Sequence, residues 1–337
     1  MKVYEILKGS KSLDGLRRGE RPDPEPGPRE VLIRVHATSL NYRDQQIVAG
    51  TYFGGPVNRD IIPLSDGAGQ VVGIGPGVTR FKPGDRVAGT FFQGWVHGTP
   101  SVWPPSLGVP LDGTLAEYVV LHEKGVVAIP ESLSYEEAAT LPCAGVTAWN
   151  GLMVSGRRVK AGDTVLCLGT GGVSMFAVQF AKLAGARPYV TSSSDEKIKR
   201  AQSFGAFEGI NYKLDPDWEK EVQRLTSGRG VDIVVELGGP GTMARSFQSV
   251  AFGGKVVMIG VLAGLTGDCS PHPLMLKNAS AQGISVGSRE MFEEMNRAID
   301  INKIKPVIGK IFSFEDALEA FRHHASGAFV GKVVIAI

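Results

Sequence analysis

A glycine-rich turn between an apolar run and a helix-like stretch restricts this chain more than any other feature. Leu168-Gly169-Thr170-Gly171-Gly172-Val173-Ser174 follows the apolar run Thr164 to Leu168 and opens the segment Phe176 to Ala184. Strand, glycine turn and helix, in that order, are the setting a dinucleotide-binding fingerprint requires. Gly169 permits the tight turn. Gly171 lets backbone approach a pyrophosphate, whose charge the helix N-terminus favours. Gly172 and Val173 carry the turn into the helix. Ser174 takes the third small position, where helix packs closely on strand, and departs from Gly or Ala by one hydroxyl. Taken alone, the same string also fits an ordinary glycine turn.

The downstream pattern decides between the two. Arg187 to Thr191 reads as a strand, Glu196 to Phe204 as a helix, Asp217 to Thr226 as a helix and Val231 to Glu236 as a continuous apolar strand. Gly241 to Val250 is helical, and Lys255 to Gly260 and Gly283 to Gly287 are two further strands. Buried strands alternating with helices predict an α/β fold with a parallel, doubly wound sheet.

The 337 residues suffice for two domains. A formal net charge of +2 and the lack of a long basic run argue against a dedicated nucleic-acid binder. No apolar stretch reaches the roughly 18 residues of a membrane span. Met1-Lys2-Val3-Tyr4-Glu5 begins no signal-peptide core. Cys143, Cys167 and Cys269 are an odd, scattered set, so no disulfide framework follows and a cytoplasmic location is expected.

The first 130 residues have another texture. Val31, Ile33 and Val35 alternate with Leu32, Arg34 and His36 as in a half-buried strand. Val71 to Gly75, Arg86 to Ala88 and Leu115 to Leu121 are further strands, and Pro83-Gly84 turns into one of them. Short strands separated by Gly and Pro suggest a small barrel. Arg21 to Pro28 reads as a stiff turn between strands. Near the C-terminus, Phe314 to Phe321 is an amphipathic helix and Gly331 to Ile337 a closing strand. A discontinuous first domain, residues 1–130 with 287–337, is therefore expected around a dinucleotide-binding domain at 131–286, with the active site in the cleft between them.

These pieces together resemble the medium-chain dehydrogenase/reductase superfamily over nearly the whole chain. The carriers are Asn41-Tyr42-Arg43-Asp44, Pro63-Leu64-Ser65-Asp66-Gly67-Ala68-Gly69, Lys82-Pro83-Gly84-Asp85-Arg86-Val87, Leu141-Pro142-Cys143-Ala144-Gly145-Val146-Thr147, the glycine loop and Gly331-Lys332-Val333-Val334. The resemblance implies a GroES-like β-barrel catalytic domain, a Rossmann domain and nicotinamide-dependent hydride transfer. Zinc-dependent members hold catalytic zinc with a Cys, a His next to a Glu, and a second Cys. The matching positions here are Asn41, Ser65 with Asp66, and Cys143. Catalytic zinc needs about three N, S or carboxylate ligands and an open position. Asp66, Cys143 and Asp44 remain as an irregular alternative set. Residues 85 to 120 hold no cysteine, so the four-cysteine structural zinc loop is absent.

The zinc-free branch, the quinone oxidoreductase-like reductases, is the better match. They have Asn where Asn41 stands and often Tyr in a Gly-x-Tyr segment like Gly50-Thr51-Tyr52. Conjugated acceptors suit a site without a metal. Asn41 or Tyr52 would stabilise the developing oxyanion, and Tyr52 or water would supply the proton. Tyr52 reads equally as an aromatic wall. Asn41 reads as a cofactor- or substrate-facing polar group, with a group satisfying loop backbone as its alternative. No metal is expected.

Ser193 falls where NAD enzymes place the acid that holds the ribose diol. Ser193, Ser194 and Lys197 suit a 2′-phosphate, and NADPH-dependent relatives flank it with a lysine and a tyrosine like Lys197 and Tyr212. NADP(H) is the expected cofactor. Asp195 is either an inward-pointing acid or the N-cap of the next helix. The resemblance also places Thr147 and Val261 at the cofactor, though Thr147 fits a structural hydroxyl as well. Relatives pair the edge strand of the Rossmann sheet across a two-fold axis, so a homodimer is expected with Gly283 to Gly287 at the interface. His97, His122, His272, His323 and His324 show no ligand spacing. Pro100 to Pro110 reads as a loop shaping substrate choice. Three readings stay open: a zinc-free NADPH reductase of quinones or conjugated carbonyls, an alcohol dehydrogenase with an irregular zinc site, and a non-enzymatic nucleotide-binding protein.

Overall fold

The computed structural model describes residues 1–267 and 269–337. The chain divides into two compact units: Met1–Val146 with Gly287–Ile337, and Thr147–Val286.

The first unit opens with an antiparallel pair, β1 (Lys2–Ile6) and β2 (Leu16–Glu20). The stiff Arg21 to Pro28 segment leads into the long strand β3 (Glu30–Ser39). Next come β4 (Asp66–Ile74), β5 (Arg86–Gly89), β6 (Tyr118–His122) and β7 (Val126–Ala128). The order β6-β3-β4-β5-β7 brings the chain back on itself, because β6 and β7 are consecutive and joined only by the turn Glu123–Gly125. The inward residues Val31, Ile33, Val71, Val87, Val119 and Leu121 form a core of their own, which makes this curled sheet barrel-like. Two strands from the C-terminal region, β14 (Ile308–Ser313) and β15 (Lys332–Ala336), extend the sheet beyond Ser39 of β3. A second core under them joins Tyr4, Ile47, Leu64, Leu115, Phe321 and Ile335.

The second unit is a six-stranded parallel sheet. Its strands are β8 (Thr164–Cys167), β9 (Arg187–Ser192), β10 (Glu208–Asn211), β11 (Val231–Glu236), β12 (Val250–Met258) and β13 (Ser280–Gly283), in the order β10-β9-β8-β11-β12-β13. Helices Gly172–Leu183, Asp195–Ser203, Trp218–Leu225 and Pro240–Ser249 connect them. Every residue of β11 is buried, as a central parallel strand covered on both faces demands. Strand order reverses between β8 and β11, so the turns after these two strands flank the crevice where such sheets bind ligands.

The expected strand Gly283 to Gly287 is displaced. The sixth strand is Ser280–Gly283 and ends where that segment was to begin. Ile284 and Val286 supply strand-like apolar spacing, but Val286 has φ +52°, which no extended strand accommodates. Ser280-Ala281-Gln282-Gly283 is mostly exposed and has poor strand propensity, so the sequence gives little sign of it. The C-terminal helix is also later than expected, at Ala317–Ser326. Among the described residues, no helix is long and apolar enough to cross a membrane.

Candidate active site

In the first unit, the residues corresponding to metal ligands gather around a lysine. Asn41 precedes the helix Tyr42–Val48, and its backbone N–H donates to Asp44 Oδ2 at 2.7 Å. Ser65 and Asp66 follow Leu64, which is held at φ +69° with its carbonyl accepting from Thr114 N–H at 2.9 Å. A left-handed leucine is unusual, and here it aims the next two side chains. Ser65 Oγ donates to Asp66 Oδ1 at 2.7 Å, and Asn41 Nδ2 donates to Ser65 Oγ at 3.4 Å. Asp66 Oδ2 accepts the Cys143 backbone N–H at 3.2 Å. Into this cluster β15 delivers Lys332, whose Nζ donates to Leu40 O and to Asn41 Oδ1, each at 2.6 Å, and lies 3.6 Å from Asp66 Oδ2. Asp66 and Lys332 are both buried.

Two neighbouring groups are held away from their usual ionisation. Burial pushes the Asp44 carboxyl up to about 6, against the pull of the Arg43 guanidinium and the Asn41 N–H. Burial, reinforced by the Asp66 charge, pushes the Cys143 thiol far up, so it stays protonated at neutral pH. Tyr52 lies with its ring 4.8 Å from the Arg43 guanidinium carbon, which stacks on Phe91 at the same distance on another side. Arg43 is itself fixed by donation to Leu107 O at 2.8 Å and to Ser106 Oγ and Val109 O, both at 3.2 Å. Tyr52 is thus built on a rigid cation rather than on loose loop.

In the second unit, the glycine turn has the shape the sequence required. Gly169 sits at φ +77°, and its N–H donates to Thr191 Oγ1 at 3.1 Å. Ser174 absorbs its extra hydroxyl by donating to Leu168 O at 2.7 Å. A Cβ on Gly171 would meet nothing within 4 Å, so open space faces the backbone just before helix Gly172–Leu183. Gly171 caps that helix without a side-chain bond, leaving amide donors of the first turn for an anion. These residues fit a dinucleotide pyrophosphate.

The segment after β9 places the expected phosphate-facing residues together. Tyr212 N–H donates to Ser192 O at 3.0 Å, and Ser194 Oγ accepts the Lys197 N–H at 3.4 Å. Ser193 lies between them in sequence and is partly buried. The N-cap of the next helix is Ser194, not Asp195. Asp195 is the first helical residue and instead accepts from Asn211 Nδ2 at 2.7 Å. Thr147 is buried in the helix Val146–Trp149.

Two residues escaped the sequence reading. Lys332 was visible inside the Gly331-Lys332-Val333-Val334 string, and a lysine within an apolar strand was the available signal. Glu236 ends the fully buried β11. Its Oε1 accepts from Gly238 N, Gly239 N and Thr242 Oγ1 at 2.7, 3.0 and 2.6 Å, and Ser246 Oγ donates to Oε2. That carboxylate fixes the turn at Gly239, φ +81°, whose Cβ position lies 3.0 Å from Val261 Cα. Val261 therefore stands beside the turn after β11, next to the strand-order reversal.

Comparison with known proteins decides the family. The alcohol dehydrogenase GroES-like domain model matches residues 27–131, and the zinc-binding dehydrogenase model matches residues 172–300. A zinc-type alcohol dehydrogenase-like protein of Schizosaccharomyces pombe is 43% identical over 99% of this chain and 98% of its own length. The chain belongs to the medium-chain dehydrogenase/reductase superfamily. It is an oxidoreductase of that group. Human quinone oxidoreductase is 30% identical, over 93% of this chain and 90% of its own. A solved protein of Sinorhizobium meliloti 1021, described provisionally as an alcohol dehydrogenase, is 42% identical with a TM-score of 0.92 over both whole chains. Solved neighbours differ in cofactor: one is an NAD-dependent alcohol dehydrogenase (34% identical, TM-score 0.92), another a mycobacterial protein complexed with NADPH (28%, 0.83), each matched over both whole chains.

The family raises the question of zinc, and the residues present do not fit it. Among the described residues, no three His, Cys, Asp or Glu side chains gather as a metal site requires. Asn41 and Ser65 stand at two of the three ligand positions, and an ammonium already faces the Asp66 carboxylate at 3.6 Å.

Proposed function

We propose that this superfamily member is a metal-independent, NADP(H)-dependent reductase of quinones or conjugated carbonyl compounds. The observation that carries the reading is the Asn41–Ser65–Asp66–Lys332 cluster, which supplies hydrogen-bond donors and a fixed cation where zinc-dependent relatives need ligands. A neutral donor can stabilise the oxyanion of an enolate or hydroquinone. It cannot acidify an alcohol as a Lewis acid does. A nicotinamide held by the glycine turn would supply the hydride for the acceptor carbon or quinone. Asn41 then faces the oxygen that becomes negative, and Tyr52 or solvent returns one proton to complete the reduction.

The cofactor choice rests on Ser193, Ser194, Lys197 and Tyr212, with Asp195 engaged by Asn211. Charge-assisted bonds to a phosphate contribute roughly 1.5–3 kcal/mol each.

One experiment tests metal, cofactor and substrate class together. Protein dialysed exhaustively against a chelator is assayed with NADPH and NADH on a panel of quinones, enones, enoyl thioesters and primary alcohols. We expect no stoichiometric zinc, full activity after chelation, conjugated acceptors outpacing alcohols, and NADPH binding tighter by about tenfold or more. The second reading, an alcohol dehydrogenase with an irregular zinc site, draws on the relatives named for alcohols. Zinc whose removal abolishes alcohol oxidation would establish it instead.

We infer a homodimer in a reducing, cytoplasmic setting. β13 leaves one edge of the parallel sheet open, and Phe252, Met275 and Leu276 nearby in the same unit are more than two-thirds exposed. An open edge beside apolar surface invites a second copy. Light scattering at micromolar concentration should give twice the chain mass; a monomer mass would refute the assembly.

A further inference from the structure

We propose that Lys332 is a positioning residue of the reductase site: its buried ammonium sets the orientation of the Asn41 amide, so that Nδ2 is the atom offered to the substrate oxygen. The proposal rests on the reductase reading and deepens it.

An ammonium has three donors and no acceptor. Lys332 Nζ spends two of them at 2.6 Å, on Leu40 O and on the Asn41 side chain, so the atom of Asn41 facing it must be the carbonyl Oδ1. The amide nitrogen is then forced to the opposite side. There Nδ2 donates to Ser65 Oγ, whose own hydrogen is committed to Asp66 Oδ1. Both ends of the carboxamide are specified, from an ammonium at one side to a carboxylate-bound hydroxyl at the other. The second hydrogen on Nδ2 has no partner among the described residues, and Asn41 is partly exposed while Lys332 and Asp66 are buried. The network thus presents one N–H outward and hides its charges.

The charges also explain why the arrangement persists. Lys332 lies 3.6 Å from Asp66 Oδ2, and the Cys143 N–H binds the same oxygen. Removing one partner of a buried pair leaves the other uncompensated, which is far more damaging than the pair is worth. Without Lys332, the Asn41 amide is free to flip and present Oδ1, an acceptor that repels a developing oxyanion.

The test uses Lys332→Met, and Lys332→Met with Asp66→Asn, which removes both charges and keeps the cluster neutral if the single variant does not fold. On the best quinone or enone of the panel, kcat should fall by about tenfold or more with KM changed little, and NADPH should bind as in the parent. A second readout needs no turnover. In 15N-labelled protein, the Asn41 side-chain amide protons, assigned by their loss in Asn41→Ala, should shift and exchange faster in the Lys332 variants. A folded variant with kcat within about twofold of the parent overturns the proposal. So does an unmoved Asn41 amide signal. If the unmodified protein reduces no conjugated acceptor, the reductase reading has failed, and the amide signal alone still decides the orientation.

Discussion

Asn41→Asp should lower kcat for a quinone or conjugated carbonyl by about 10²- to 10³-fold near pH 8, the range lost when one oxyanion donor is removed. The substitution is nearly isosteric. The new carboxylate keeps an oxygen for Lys332, which donates to this side chain at 2.6 Å. It loses the Nδ2 hydrogens and sets a negative charge against the oxygen that becomes negative. NADPH affinity should change little, because the glycine turn and the serine-lysine segment proposed to hold its phosphates are left untouched. The pH dependence supplies a signature. As pH falls, the introduced carboxyl takes up a proton and regains a donor, so the variant should recover relative to the parent under acid conditions. Lys332 opposes that protonation by favouring the charged form, and Asp66 promotes it. Steady-state kcat across the pH range reads both effects. A variant within about threefold of the parent at pH 8, with normal NADPH binding, would remove Asn41 from the chemistry.

How much of this was legible in the sequence depends on where the constraint is local. The glycine turn was, because Gly169 at φ +77° and the open space at Gly171 follow from short-range backbone geometry that only certain residues allow. The continuous apolar run of β11 announced a central parallel strand. β10 was missed, because Glu208-Gly209-Ile210-Asn211 has a single apolar side chain and its pairing with β9 supplies what its propensity lacks. β13 was misplaced for the related reason that apolar spacing at Ile284 and Val286 outweighed a polar edge strand. The polar cluster was legible only in part. Asn41 and Ser65 were singled out as departures from a ligand pattern that Cys143 keeps. Lys332 was not, because it reaches Asn41 from 291 positions away and nothing in local spacing encodes that contact. For Asp195 the sequence left open an inward-pointing acid or a cap; Ser194 takes the cap, and the Asp195 carboxylate accepts from Asn211.

Tyr52→Phe should lower turnover of a conjugated carbonyl by about 10²-fold or more, within the range attributed to a positioned general acid, and leave NADPH affinity intact. Packing makes the substitution clean. The Tyr52 ring rests on the Arg43 guanidinium 4.8 Å away and touches the core beside Phe53, and phenylalanine preserves both contacts. Arg43 stays in place through its bonds to Leu107 O, Ser106 Oγ and Val109 O, so stability should hardly move. Only the hydroxyl is lost, and its effect belongs to proton transfer or to hydrogen bonding with the substrate. The two separate by substrate: reduction of an enone needs a proton on carbon, whereas a hydroquinone oxygen exchanges its proton readily with water. A donor role therefore predicts a large loss for enones and a smaller one for quinones. Equal losses would indicate a hydrogen bond that stabilises the oxyanion in both. An unchanged rate on both acceptors would leave water as the proton source and Tyr52 as a wall of the site.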